Sequence, residues 1–142
     1  MTSPRNSQRS VDAAVLQISL ERNPQAPSLA RAAITGFTYG INIAAGTLAT
    51  LTLLVSEVVT NAVVHSEAGP ASEILMTARR LDTGAILVEI TDQGDGFTLT
   101  PRDPARPGGG YGLYLVEKEA ERWGVDRQGG TRVWFEMATP TA

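Results

Sequence analysis

The sequence predicts an α+β fold in which a mainly antiparallel sheet carries helices on one face. Segments with strand-like alternation and segments with helical periodicity mix without a regular βαβ order. Two of the strand-like segments are joined by a short turn at residues 82–84, which is typical of a hairpin. The 142 residues, 42% of them hydrophobic, fit one domain with its own core. We expect this domain over residues 11–138, with short tails at 1–10 and 139–142.

The first half of the domain contains one predicted strand and two predicted helices. Residues 14–20 alternate between apolar and polar side chains, which favours a strand with one buried face. After a break that contains two prolines, a helix is expected from residue 29 to about residue 40, with Ser28 as its N-cap. Thr47 is the expected N-cap of a longer helix that ends near His65.

The second half begins with the hairpin, whose strands are expected at residues 72–80 and 85–91. Residues 92–110 are rich in Gly, Pro and Asp, a composition typical of a long loop. Helical periodicity returns over residues 111–123, and a last strand is expected at 131–137.

Composition excludes several classes of function. A formal net charge of -3 argues against a protein that binds nucleic acid by neutralising phosphates. The absence of cysteine excludes disulfides, a thiol nucleophile and a cysteine-ligated zinc site, and the single histidine, His65, excludes a multi-histidine metal cluster. We expect no apolar run long enough to cross a bilayer. The first ten residues lack the apolar region of a secretion signal, so we expect a soluble, cytoplasmic protein.

The helix that ends near His65 is almost entirely apolar, and Glu57 is its one charged residue between positions 48 and 66. Glu57, Asn61 and His65 follow at intervals of four and share one helix face. One alternative is a half-buried helix whose polar stripe is satisfied by a loop. The other is the wall of a site, with Glu57 as a base or water-holding group and Asn61 as a neutral oxygen ligand for magnesium. His65 is expected to cap carbonyl groups at the helix end.

A first glycine cluster, Asp92-x-Gly94-x-Gly96, directly follows the second hairpin strand. Glycines at alternate positions allow a tight turn or a close approach of backbone to a ligand. A carboxylate at the end of a strand accepts hydrogen bonds from an exocyclic amine, such as that of adenine. An ordinary turn is the alternative.

A second cluster, which includes Gly110 and Gly112, opens the helix predicted at 111–123. The N-terminus of a helix offers free N–H groups and a positive dipole end to phosphate oxygens. The spacing matches neither a Walker loop nor a dinucleotide-binding fingerprint. A flexible linker before a helix is the alternative.

Taken in order, the three motifs resemble the N, G1 and G2 boxes of the GHKL ATPase superfamily, which includes histidine kinases, gyrase, Hsp90 and MutL. Residues 54–65 are similar to the N box of the anti-sigma-factor serine kinases of the RsbW and SpoIIAB type. Residues 111–116, 120–125 and 130–136 resemble the short actinobacterial ATP-binding regulators of this group. The resemblance covers roughly residues 11–138 and implies the Bergerat ATP-binding fold, a two-layer α/β sandwich.

This resemblance implies ATP and Mg²⁺ as cofactors and assigns a role to each motif residue. Glu57 becomes the general base or water-orienting group, and Asn61 holds magnesium against the phosphates. Asp92 binds the adenine amino group, and residues 97–109 form a lid over ATP. The remaining assignments are the base pocket at Gly94 and Gly96, the phosphate cradle at Gly110 and Gly112, and support of the adenine end by Thr131.

The chain departs from the family pattern in the second glycine box. Many members carry arginine between its two glycines, where this chain has Tyr111. Arg102 or Arg106 in the lid would then have to supply the missing phosphate contact.

The implied function is phosphorylation of Ser or Thr on an anti-sigma-factor antagonist, followed by a switch of partners. The implied partners are a sigma factor, a STAS-type antagonist or both, without direct nucleic-acid or membrane contact, and homodimerisation stays open. Two alternatives remain: a nucleotide-dependent binding module without productive kinase activity, and a lone ATP hydrolase.

Overall fold

The computed structural model describes residues 15–65, 72–92, 111–127 and 130–139, which form five strands and three helices. In chain order these are β1 (Val15–Glu21), α1 (Ala26–Thr38), α2 (Ala45–His65), β2 (Glu73–Arg80), β3 (Ile86–Asp92), α3 (Tyr111–Glu119), β4 (Arg122–Asp126) and β5 (Thr131–Met137). The strands form one sheet in the order β1-β2-β3-β5-β4, and every neighbouring pair is antiparallel. The predicted α+β fold is confirmed.

The two faces of the sheet differ as the alternation of side chains predicts. One face joins the inner sides of the helices in a single core, which includes Leu20, Ile34, Leu54, Met76 and Phe135. The opposite face, called here the open face, carries partly or fully exposed polar side chains, among them Gln17, Thr77, Glu89, Arg132 and Glu136. The helices therefore cover one face of the sheet, as expected.

The predicted hairpin of β2 and β3 is confirmed, with Arg80 opposite Ile86 at its closed end. The Leu81 N–H donates to the Ala85 carbonyl at 2.8 Å, and the Gly84 N–H donates to the Leu81 carbonyl at 2.8 Å. Gly84 has a φ of 94°, a left-handed conformation that favours glycine because it lacks Cβ.

Helix α1 begins earlier than the sequence predicts, so Ser28 as its N-cap is wrong. The helix starts at Ala26 with Pro27 in its first turn, and the N-cap residue Gln25 makes no side-chain capping bond. Proline suits a first turn because its φ is already helical and no intrahelical partner is needed for the missing N–H. The side chains that α1 buries are Ala26, Ala30, Ile34 and Thr38.

Helix α2 begins at Ala45, which puts Thr47 inside the first turn and makes its prediction as N-cap wrong. Its end at His65 is as predicted. The expectation of no membrane-length apolar run is also wrong, because Ala45–Val64 is long and apolar enough by length and composition, with a mean hydropathy of 1.6. Leucine, valine and alanine outweigh its few polar residues. In this fold, α2 packs against α1 and the sheet, and it buries Leu51, Leu54, Val55, Val58 and Val59.

The predicted helix over residues 111–123 is correct only in its first part. Helix α3 ends at Glu119, and Trp123 lies in β4, an edge strand that pairs with β5. Trp123 is the register partner of Phe135, so pairing with β5 makes this segment a strand. The last predicted strand, at residues 131–137, is confirmed as β5.

Candidate functional site

One row of register partners crosses the sheet at the end where β1 and β3 terminate. The row consists of Leu20, Ile74, Asp92 and Thr131. Register partners on neighbouring strands point to the same face, so all four side chains lie on the core side. Asp92 is fully buried, and Thr131 is 1% exposed. The structure therefore sets two of the predicted site residues side by side.

Arg22 follows β1 directly and forms a buried ion pair with Asp92. The bond joins Arg22 Nη2 to Asp92 Oδ1 at 2.6 Å, and the Arg22 side chain is 6% exposed. The guanidinium also donates to Ser72 Oγ, from Nη2 at 2.7 Å and from Nε at 3.1 Å. Its Nη1 donates to the Ala62 carbonyl at 2.6 Å. One side chain thus links the ends of β1 and β3, the segment before β2, and helix α2.

The contact with the Ala62 carbonyl brings helix α2 to the end of the sheet at a point one residue from Asn61. Asn61 is buried, with 9% of its surface exposed, and Glu57 lies one turn earlier and is half-buried. Within residues 15–65, 72–92, 111–127 and 130–139, no side-chain hydrogen bond or ion pair engages Glu57 or Asn61. The carboxamide of Asn61 is not among the fully buried polar atoms that lack a partner, so its polar atoms are open to water or to a ligand.

The donor set fits a cation that takes few ligands from the protein. Across the described part of the chain, no group of three or more His, Cys, Asp or Glu side chains is arranged to hold a metal ion. The Asn61 carboxamide supplies one neutral, hard oxygen. Magnesium is commonly bound in this way, with most of its ligands coming from water and substrate phosphates.

The second glycine motif is described only in part. Gly112 lies in the first turn of α3, which begins at Tyr111, and α3 packs against α2. Helix α3 therefore begins where the sequence predicts and lies next to the helix that carries Asn61. The other predictions lie outside the described residues: Gly94, Gly96, Gly110, the lid at 97–109 with Arg102 and Arg106, and the His65 side chain.

Arg22 and Ser72 are the site residues that sequence reasoning missed. Strands β1 and β3 both run antiparallel to β2, so their C-terminal ends lie at the same end of the sheet. Two strand spacings of about 4.8 Å separate β1 from β3, a distance that the long arginine side chain spans. The only feature of the sequence that pointed to Arg22 was its place directly after a predicted strand. That place does not indicate a partner 70 residues away.

A cavity of about 550 Å³ lies beside this site, lined by Thr91, Val125, Asp126, Arg127, Gly130 and Arg132. Thr91 and Arg132 are each adjacent in sequence to a residue of the buried row, so they point to the open face instead. The Arg132 guanidinium is already paired with Glu89 and Asp126. The cavity is therefore separate from the site around Asp92.

The chain matches a family of known domains over most of its length. A family model described as the histidine kinase-like ATPase domain matches residues 20–137, a range that contains Arg22, Asn61, Asp92 and Thr131. No curated protein matches the chain.

Solved structures with the same fold come from larger proteins. The RsbU and RsbW domains of Rv1364c from Mycobacterium tuberculosis align with a TM-score of 0.72 and 20% identity, over 89% of this chain and 33% of that one. The Erythrobacter litoralis EL346 blue-light activated histidine kinase aligns with a TM-score of 0.55 and 24% identity, over 68% of this chain and 32% of that one. The histidine kinase domain of that protein aligns with a TM-score of 0.52 and 25% identity, over 66% of this chain and 45% of that one. This chain spans about a third to under a half of the length of these proteins.

Proposed function

The chain belongs to the histidine kinase-like ATPase domain family, and on this premise we propose that it is an ATP- and magnesium-dependent protein kinase of the anti-sigma-factor type. The observation that carries the proposal is the link from Asp92 through Arg22 to the Ala62 carbonyl, which connects the end of the sheet to the helix that carries Asn61. Asp92 offers a buried carboxylate suited to an amine, and Asn61 offers an unpaired carboxamide suited to a metal. Adenine and magnesium-bound phosphates are the two ends of one substrate, ATP.

Each residue then has a role in holding ATP. Asp92 accepts a hydrogen bond from the adenine amino group, Thr131 supports the adenine end, and Asn61 is the protein ligand of magnesium. When bound, magnesium neutralises charge on the phosphates, which phosphoryl transfer requires more than covalent catalysis. The proposal keeps the glycine roles that the resemblance implies, with Gly94 and Gly96 at the base pocket and Gly110 and Gly112 at the phosphates.

Glu57 supports kinase activity because it is a half-buried carboxylate with no protein partner in the described residues, one helical turn from Asn61. We assign it as the general base that accepts the proton of the attacking hydroxyl group. A positioned base typically raises the rate by about 10²–10⁴-fold. The hydroxyl belongs to Ser or Thr of a STAS-type anti-sigma-factor antagonist, and a sigma factor is the alternative partner. The protein would act in the cytoplasm as a regulator of transcription.

A binding module without kinase activity is the second candidate, because Tyr111 replaces the arginine that many family members carry. Incubation of the chain with γ-labelled ATP, Mg²⁺ and STAS-type antagonist proteins separates the candidates. Transfer of label to an antagonist supports the kinase. Nucleotide-dependent binding of the antagonist without transfer supports the binding module. Release of labelled phosphate without either supports a lone hydrolase.

A further inference from the structure

We propose that Arg22 is a positioning residue that holds the Asp92 carboxylate in the orientation needed to select adenine over guanine. The inference rests on the proposed function, in which Asp92 accepts the adenine amino group. It adds a residue outside the three sequence motifs, from the opposite side of β2.

Burial makes a partner for Asp92 necessary. A charged carboxylate without solvent is strongly disfavoured unless it is paired and hydrogen-bonded. The Arg22 guanidinium meets that requirement through the 2.6 Å bond from Nη2 to Oδ1. Guanidinium donors lie in one rigid plane, so this bond fixes the direction of the carboxylate as well as compensating its charge.

Arg22 is in turn held by two further partners. Ser72 Oγ accepts from Nε and Nη2, and the Ala62 carbonyl accepts from Nη1. All three guanidinium nitrogens are therefore engaged, and the group cannot rotate without breaking a bond. A lysine ammonium carries a similar charge but cannot reproduce this planar set of contacts.

The orientation of the carboxylate determines base selection. Adenine presents an amino donor where guanine presents a carbonyl acceptor. A fixed carboxylate oxygen therefore accepts a hydrogen bond from adenine and repels the carbonyl oxygen of guanine. A site built to hydrogen-bond one group rejects the analogue that lacks it. If the carboxylate were free to turn, it would keep its charge but lose part of this discrimination.

The test compares Arg22→Lys with Arg132→Lys. Arg132 is the matched control, because it also pairs with a carboxylate on β3, that of Glu89, but on the open face. The dissociation constants of Mg-ATP and Mg-GTP are measured by calorimetry for each folded variant. We expect Arg22→Lys to lower the ATP-over-GTP preference by about tenfold, the value of one charge-assisted hydrogen bond. Arg132→Lys should leave both constants within about twofold of the wild type.

Ser72→Ala provides a second variant in case Arg22→Lys does not fold. Ser72 precedes β2 and is half-buried, and its substitution removes two hydrogen bonds to Arg22 while both charges remain. We expect the ATP preference to fall by about threefold. A wild-type preference retained in folded Arg22→Lys, or in Ser72→Ala, overturns the inference and leaves the proposed function intact. A wild-type chain that does not bind ATP, or binds GTP equally well, contradicts the proposed function and the inference together.

Discussion

Gly124 of β4 lies against the indole ring of Trp134, its register partner on β5. A Cβ atom added at position 124 would be 2.7 Å from Trp134 Nε1 and 2.8 Å from Cε2 and Cζ2. The Arg132 guanidinium also contacts the indole, at 6.0 Å from the ring centroid. Because Gly124 has no side chain, the Trp134 indole can lie over the backbone of the edge strand β4.

Gly124→Ala is expected to lower the free energy of unfolding by about 1–3 kcal/mol, because the methyl group must displace the indole. Gly36→Ala is the control, since Gly36 lies in α1 and a Cβ atom added there would meet nothing within 4 Å. That substitution should stabilise the protein by about 0.5–1 kcal/mol through helix propensity. Urea denaturation measures both, and equal effects at the two positions would contradict the packing argument.

Asn61→Ala is expected to weaken Mg-ATP binding by about tenfold or more, a loss of about 1.4 kcal/mol. Stability should change little, because no described side chain bonds to the carboxamide. The measurement is calorimetry with Mg²⁺ and again with EDTA, where the variant and the wild type should bind ATP alike. Asn42→Ala, at an exposed position before α2, is the control. An Asn61→Ala affinity for Mg-ATP within about twofold of the wild type excludes Asn61 as the metal ligand.

Asp92→Asn is expected to lower the free energy of unfolding by about 3–5 kcal/mol, because it leaves the buried Arg22 charge without a counterion. Arg22→Met should have a similar cost for the converse reason. Combining the two substitutions removes both charges, so the double variant should be clearly more stable than the sum of the single losses indicates. Thermal or urea unfolding of the four proteins gives the coupling energy. Additive losses would mean that the two side chains do not interact energetically.

Glu57→Gln is expected to reduce phosphate transfer to the antagonist by about 10²–10⁴-fold, because the amide keeps the shape of the side chain but not its basicity. ATP affinity should stay within about twofold. Glu119→Gln, at an exposed position at the end of α3, controls for loss of a charge. Full transfer by Glu57→Gln would assign the base to another residue. No transfer by the wild type would favour the binding module.

The sequence was sufficient for most elements of the fold but not for the edge strand β4. Trp123 lies seven residues after Val116 and three after Ala120, which fits helical spacing, and a strand of five residues is too short for alternation to decide. The strand exists because β5 offers hydrogen-bond partners, which is a tertiary effect. The predicted helix starts are wrong for a local reason. Ser28 and Thr47 are suitable N-cap residues, but each lies inside a helix that begins two residues earlier.

The family resemblance predicts one site for Asn61, Asp92 and Thr131, and the structure sets Asp92 beside Thr131. It could not reveal Arg22, because that contact depends on the order of strands in the sheet rather than on neighbours in sequence. Once β1 and β3 are known to flank β2, the geometry makes Arg22 the nearest cation to the end of β3 among the described residues.

The contact between Arg22 and Asp92 also makes nucleotide binding depend on the fold of the whole domain. It closes a loop of 70 residues that contains both long helices and β2, and Thr131 joins the row only when β5 has been synthesised. The complete row therefore exists only when segments from both halves of the domain are in place. Because ATP would bind only this assembled state, saturating nucleotide should stabilise the domain as a unit by RT ln(1 + [L]/Kd), about 2.7 kcal/mol at a hundred times Kd.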